Sequence, residues 1–194
     1  MAVSLAKGGT VSLAKEAPGL SEIEVGLGWK ESASGGAEFD LDASAFLLSG
    51  NGKVISDSHF VFYNNLLSPD GAVVGAEDDT EGGSDADDGD QEVIMVNLDQ
   101  VDPNCQSVAF SVSIHESAVR NQNFAMVRDA YIRVINSATQ SEIVRYDLAD
   151  DFGTDDAVIV GEIYRDGTDW KFRALGQGLS GSLFGVARHF GVRV

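Results

Sequence analysis

Carboxylates are the side chains that this sequence gathers most densely in one place. The 66 residues between Lys53 and Arg120 contain no Lys or Arg, but they contain 14 acids. Nine of these acids lie in the acidic segment, residues 77–92, and several are separated by glycines: Glu77, Asp78, Asp79, Glu81, Asp85, Asp87, Asp88, Asp90 and Glu92. Because calcium takes about six to eight oxygen ligands from carboxylates, backbone carbonyls and water, the segment is a candidate cation-binding loop. An acidic loop without a ligand is the alternative.

A second pair of carboxylates lies earlier in the chain. Asp40 and Asp42 alternate with apolar residues in a predicted strand over residues 39–48, which places both on one face. Two neighbouring carboxylates repel each other unless a cation or a proton lies between them. The pair is therefore a candidate for cation binding, or else it simply faces water.

An asparagine pair and a His-Glu pair are weaker candidates. Asn64 and Asn65 could offer carbonyl oxygens to a hard cation, but capping of a turn is the favoured interpretation. His115 is favoured as structural or exposed rather than as a proton-transfer group. Glu116 could lie near the acidic segment as a further ligand. Residues 85–96 do not form an EF-hand, because Asp90 and Val96 replace the Gly and Glu that such a loop needs.

The overall composition excludes several classes of function. With 13 Lys and Arg against 31 Asp and Glu, the net charge of −18 opposes binding to nucleic acids or anionic membranes. A single cysteine, Cys105, excludes an intrachain disulfide and a thiolate metal cluster. The chain has no P-loop, no dinucleotide fingerprint and no nucleophile elbow, so we expect a protein that is not an enzyme. Without a secretory signal or a membrane-spanning apolar stretch, it is expected in the cytoplasm.

Short alternating segments predict the elements that would position these groups. Residues 3–7 and 11–15 resemble a β-hairpin around Gly8 and Gly9, and turns are predicted at residues 51–52 and 166–167. One or two helical turns are expected within residues 117–129, and an amphipathic helix within residues 179–190. Further strands are predicted at residues 22–29, 39–48, 59–62, 93–98, 107–115, 131–135, 142–148, 158–164 and 170–175. The pattern indicates a mostly β protein: one domain over residues 1–194, a β-sandwich of about ten strands with a few short helices and a C-terminal helix.

Several longer motifs carry a resemblance to a known family. They are residues 11–20 (VSLAKEAPGL), 25–29 (VGLGW), 39–48 (FDLDASAFLL), 62–66 (FYNNL), 68–71 (SPDG), 123–124 (NF), 131–134 (YIRV), 161–165 (GEIYR) and 170–174 (WKFRA). Along essentially its whole length the chain resembles the TerD family of tellurium-resistance and bacterial general stress proteins. The resemblance implies a cytoplasmic calcium-binding β-sandwich that works beside an integral membrane partner and other tellurium-resistance proteins.

The resemblance also implies a ligand set for one or two calcium ions. The matching positions are Asp40, Asp42, Asn64, Asn65, Asp78, Asp90 and Glu92. The middle of the acidic segment departs from the family pattern, which leaves open which of Asp79, Asp85, Asp87 and Asp88 coordinate. The leading hypothesis is a non-enzymatic module in which calcium orders the acidic segment and shapes a partner-binding surface. The alternatives are an acidic scaffold without a dedicated metal site and, less favoured, a tellurite-processing enzyme.

Overall fold

The β-strands build two sheets that pack on a shared core. The computed structural model describes residues 2–31, 39–75, 89–148 and 152–194. One six-stranded sheet has the order β1-β10-β9-β3-β7-β6, and the other has the order β2-β12-β11-β8-β4-β5. The strands are β1 (Val3–Leu5), β2 (Thr10–Ser12), β3 (Glu22–Glu31), β4 (Leu41–Leu48), β5 (Phe60–Val61), β6 (Val73–Gly75), β7 (Glu92–Asn97), β8 (Ser107–Ile114), β9 (Val127–Asn136), β10 (Ser141–Asp147), β11 (Ala157–Asp166) and β12 (Asp169–Leu179). The prediction of a mostly β sandwich is confirmed.

Three short α-helices accompany the sheets in the described residues. They are α1 (Leu13–Glu16), α2 (Ser117–Arg120) and α3 (Ser182–His189), and single 3₁₀ turns occur at Asp57–His59 and Phe124–Met126. The C-terminal helix and the short helical turns after residue 117 are therefore confirmed, although residue 179 belongs to β12. Within the described ranges, no helix has the length and apolar character needed to cross a membrane.

The two faces of the second sheet are covered by different partners. Its inner face packs against the first sheet, where Phe110 and Ile163 join Val25 and Ile132 in one core. Its outer face is covered by α3, and Phe46 lies with its ring centroid 4.7 Å from that of Phe190. Because both faces are covered, β4 is a nearly continuous run of buried residues rather than an alternating one.

The predicted N-terminal hairpin is wrong. β1 pairs in parallel with β10 of the first sheet, whereas β2 pairs antiparallel with β12 of the second. Gly8, with a φ of +79°, allows the turn that carries the chain from one sheet to the other. Each three-residue strand gains more by extending the edge of a large sheet than by pairing with an equally short neighbour. Residues 13–16 form α1 instead of continuing a strand.

The strand registers define two ends of the sandwich. At one end Asp42 lies opposite Ser113, which in turn lies opposite Ala157. We call this end, together with Gly75 and Glu92 of the first sheet, the acidic end. At the opposite end the β11–β12 turn at Gly167 confirms the predicted tight turn, since Asp166 and Asp169 are paired.

Candidate functional site

A narrow cleft opens between the two sheets at the acidic end. Its lining residues include Asp42 from β4, Glu92 from β7, Gly75 from β6 and Tyr63 from the turn after β5. The volume of about 20 Å³ accommodates one water-sized species. The Asp42 side chain is only 13% exposed. The cleft therefore presents carboxylates from both sheets to a space that fits a single ion rather than an organic molecule.

The cleft lies where the acidic segment joins the sheet. β6 ends at Gly75 and β7 begins at Glu92, and these two strands pair antiparallel. The chain therefore leaves the first sheet at Gly75 and re-enters it at Glu92, on the neighbouring strand. The predicted ligands Asp78, Asp79, Asp85, Asp87 and Asp88 lie outside the described residues.

Asp40 and Asp42 have different partners. Asp42 Oδ2 lies 3.6 Å from Nδ1 of His115, whereas Asp40 Oδ2 lies 3.6 Å from Nη2 of Arg120. Arg120 also lies 3.7 Å from Glu116, the other predicted carboxylate in this region. Of Asp40, Asp42 and Glu116, only Asp42 is among the described residues that line the cleft. Asp40 and Glu116 are half exposed beside it.

The asparagine pair forms a tight turn. Asn65 and Phe62 exchange two backbone hydrogen bonds, and Asn65 Nδ2 donates to the carbonyl oxygens of Phe60 at 2.7 Å and Ser58 at 3.2 Å. These bonds agree with the favoured turn interpretation. Tyr63, within the same turn, lines the cleft, and the sequence does not single it out because one aromatic residue in a turn carries no chemical pattern.

Asp90 forms a partly buried ion pair. Its side chain is 7% exposed, and its Oδ1 accepts hydrogen bonds from Arg133 Nε at 2.8 Å and from Tyr131 Oη at 2.9 Å. Oδ2 accepts from the same Arg133 Nε at 3.0 Å. This hydrogen bond raises the pKa of Arg133, and burial together with the bond to Asp90 raises the pKa of Tyr131 to about 12. Both carboxylate oxygens are thus engaged within the protein.

Two glycines of β3 make room for this ion pair. A Cβ atom at Gly26 would lie 2.0 Å from Asp90 Oδ2, and one at Gly28 would lie 2.2 Å from the Tyr131 ring. Residues two apart in a strand share a face, so both glycines open the same surface. The Gly-x-Gly pattern at residues 26–28, which matches no dinucleotide site, therefore makes room for the Asp90–Arg133 ion pair. This ion pair anchors the end of the acidic segment.

Gln91 completes that anchor. Its side chain accepts a hydrogen bond from the Trp29 amide and donates one to the Trp29 carbonyl, each at 2.8 Å. Its own amide donates to the Leu27 carbonyl at 2.9 Å. Residues 90 and 91 therefore hold the end of the acidic segment on β3 through side chains as well as through the backbone ladder.

The donors in the described residues form an incomplete set for calcium. Across residues 2–31, 39–75, 89–148 and 152–194, no group of three or more His, Cys, Asp or Glu side chains is arranged to hold a metal ion. The cleft brings together two carboxylates, whereas calcium takes about six to eight oxygens. Their oxygen chemistry suits a hard cation, but further ligands are required.

Comparison with known proteins identifies the family. The TerD domain matches residues 1–190. The chain belongs to the TerD family. It is 47% identical over 192 residues to the tellurium resistance protein TerD of Serratia marcescens, covering 99% of this chain and 98% of that protein. It is 45% identical to general stress protein 16U of Bacillus subtilis (strain 168), with full coverage of both chains.

A solved structure has the same fold as this TerD family member. The crystal structure of SAV2460, a protein of unknown function, superposes with a TM-score of 0.68 at 25% identity and covers 91% of this chain and 99% of its own. The sequence-based identification of the family is confirmed.

Cys105 is a structural residue in this TerD domain. Its side chain is fully buried, and Sγ donates to the carbonyl oxygen of Ser107 at 3.2 Å. Burial raises the pKa of the thiol to about 12, so the reactive thiolate is disfavoured at neutral pH.

Proposed function

We propose that this TerD family protein is a non-enzymatic, calcium-binding stress-response protein linked to tellurite resistance. In the proposal, one or two calcium ions bind at the acidic end, order the acidic segment and shape a surface for a partner. The partners would be other tellurium-resistance proteins, including a membrane protein, and the site of action would be the cytoplasm. Membership of a family of tellurium-resistance and general stress proteins supports the physiological part.

The observation that carries the proposal is the position of Asp42 and Glu92. The two carboxylates come from different sheets and line one ion-sized cleft, at the strands between which the acidic segment runs. Bringing like charges together costs free energy unless a cation or a proton compensates them. A calcium ion would supply that compensation and join the two sheets at this end.

The remaining oxygens would come from the acidic segment. Residues 76–88 alone contain seven acids, among them the predicted ligands Asp78, Asp79, Asp85, Asp87 and Asp88. We assign Asp90 a positioning role rather than direct coordination, because Arg133 and Tyr131 engage its oxygens. Asp40, Asn64, Asn65 and Glu116 stay predicted ligands.

Calcium titration by calorimetry on chelator-stripped protein tests the proposal. We expect saturable binding that withstands excess magnesium, that is lost in Asp42→Asn and Glu92→Gln, and that is kept in Asp99→Asn, an exposed carboxylate at the opposite end. Calcium at about 100 times its Kd should stabilise the fold by about 2.7 kcal/mol. The absence of saturable heat would reject the calcium site and favour the acidic scaffold.

The enzymatic alternative has its own test. Cys105→Ser should leave tellurite resistance in cells unchanged, because the thiol is buried and protonated. Loss of resistance with an intact fold would instead favour thiol chemistry.

A further inference from the structure

An apolar groove lies directly beside the cleft. Its volume is about 340 Å³, and its lining residues include Tyr63, Ala118, Val119, Leu183 and Phe184. Val119 is 83% exposed, Phe184 59% and Tyr63 40%. Three large apolar side chains therefore cluster on one concave surface instead of being scattered singly.

Hydrogen bonds preform the groove. Asp156 Oδ2 accepts from Ser117 Oγ at 2.7 Å, and its Oδ1 accepts from the Ser182 amide at 2.8 Å. Ser182 Oγ donates to the carbonyl oxygen of Ile114 at 2.7 Å. These bonds fix the first residues of α2 and α3 beside each other. Leu183 is buried and Phe184, the next residue, is exposed, so a partner would meet an apolar surface whose backbone is held by these hydrogen bonds.

The rim of the groove is negatively charged. Asp42, Glu116 and Asp156 line it, and Asp40 lies close by through its contact with Arg120. Two permanent cations lie near the groove in the described residues: Arg120 contacts Asp40 and Glu116, and Arg188 Nε donates to the Phe184 carbonyl at 3.2 Å. The carboxylates therefore outnumber the cations around an apolar centre.

We propose that this groove binds a basic amphipathic segment of a partner protein. Apolar side chains of the segment would fill the space between Val119 and Phe184, and its Lys or Arg side chains would meet the rim carboxylates. A second copy of this chain is disfavoured as the occupant, because each copy carries a net charge of −18. The groove would be the partner surface of the proposed function, and its partner would be a basic segment. In this respect the inference rests on the proposed function.

The groove and the cleft share a wall. Asp42 and Tyr63 line both spaces. A cation that engages Asp42 would change the charge and position of this wall, so calcium and the partner segment should influence each other's affinity.

Peptide binding to the full chain tests the groove. The probe is a synthetic peptide with Leu and Lys at helical spacing. Its two counterparts replace Leu by Ser, which keeps the charge, or Lys by Glu, which keeps the apolar face. We expect the Leu/Lys peptide to bind best. Phe184→Ser should weaken its binding about tenfold, as expected for an aromatic contact at the centre of an interface.

A second groove variant and a control variant accompany Phe184→Ser. Val119→Ser changes an 83% exposed side chain, and it should weaken binding even if Phe184→Ser fails to fold. Leu67→Ser is the matched control, because Leu67 is 55% exposed but lies beside β6 rather than in the groove. Equal binding of the Leu/Lys and Ser/Lys peptides, or equal binding to all variants, would overturn the proposal in favour of simple charge attraction. Self-association abolished by Phe184→Ser would overturn it in favour of a second copy.

The calcium site and the groove can fail separately. Peptide binding that persists unchanged in chelator, together with no calcium heat, would reject the calcium site and keep the groove. Calcium binding without peptide binding that depends on the groove residues would reject the groove and keep the calcium site.

Discussion

The charged side chains have different surroundings at the two ends of the sandwich. At the opposite end, Arg165 donates from Nε to the Cys105 carbonyl and from Nη2 to the Val101 carbonyl, each at 3.0 Å. The same guanidinium lies 4.4 Å from the centroid of the Trp170 ring. Asp70 accepts from Ser68 Oγ, from the Ala72 amide and from the Asp102 amide. Arg165 and Asp70 therefore each hold a loop in place at that end.

At the acidic end, by contrast, carboxylates collect around a cleft and a groove. Asp42 and Glu92 share the cleft, and the acidic segment adds seven acids between residues 76 and 88. Asp90 pairs with Arg133, and Asp42 and Asp40 contact His115 and Arg120. The carboxylates at this end outnumber the cations near them, and this excess of negative charge marks the surface that we propose for a cation and a partner.

Cavity size does not distinguish the ends. The opposite end contains the larger cavity, about 480 Å³, lined in part by Leu13, Leu98 and Trp170. The cation in its wall, Arg165, already donates to backbone carbonyls. The groove is smaller but has three exposed apolar residues and a shared wall with the cleft, and this combination favours the acidic end as the functional one.

The largest effect is expected from breaking the Asp90 ion pair. Arg133→Met would leave the Asp90 carboxylate, 7% exposed, without its cation. The free energy of unfolding should fall by about 3 kcal/mol, because an unpaired buried charge is costly. Urea denaturation measures this loss.

Lys30→Met provides the control for that experiment. Lys30 pairs with Asp129 at 3.7 Å, and both side chains are more than half exposed, so its loss should be below about 0.5 kcal/mol. Equal losses in the two variants would show that Asp90 behaves as an exposed acid.

A smaller loss is expected at the opposite end from Arg165→Met. The substitution removes two hydrogen bonds to backbone carbonyls and the stacking on Trp170. We expect about 2 kcal/mol lower stability with calcium affinity unchanged. Lys171→Met, which removes an exposed ion pair with Asp166 on the same hairpin, should have little effect on either. Weakened calcium binding in Arg165→Met would contradict the separation of the two ends.

The smallest and most pH-dependent effect belongs to Asp70. Burial favours the neutral acid, but the hydrogen bonds from Ser68, Asp102 and Ala72 outweigh it and hold the pKa of Asp70 below its ordinary 3.8. A lowered pKa stabilises the fold above pH 3.8, and this stabilisation is lost as the pH falls through the folded-state pKa.

Asp70→Asn should therefore cost about 1 kcal/mol near pH 7. The difference from the unsubstituted protein should shrink below about pH 4. Denaturation across a pH series checks this expectation, and a difference that stays constant down to pH 2 would assign the effect to packing instead of ionisation.

Local patterns were sufficient for most of the elements. Alternation predicted the long strands, and glycine in a tight turn predicted the β11–β12 connection. β6 was missed because three residues are too few to show a period. The N-terminal hairpin was wrong because β1 and β2 look alike locally but complete the edges of different sheets.

The candidate site divides in the same way. The sequence alone determined the cluster of acids and the family, because both are properties of residue types and their order. The tertiary structure was needed to show that Asp42 and Glu92 line one cleft, that Asp90 pairs with Arg133 across 43 positions, and that Val119 and Phe184 line one groove. These contacts join distant parts of the chain, and they depend on strand pairing and sheet packing, which no local pattern specifies.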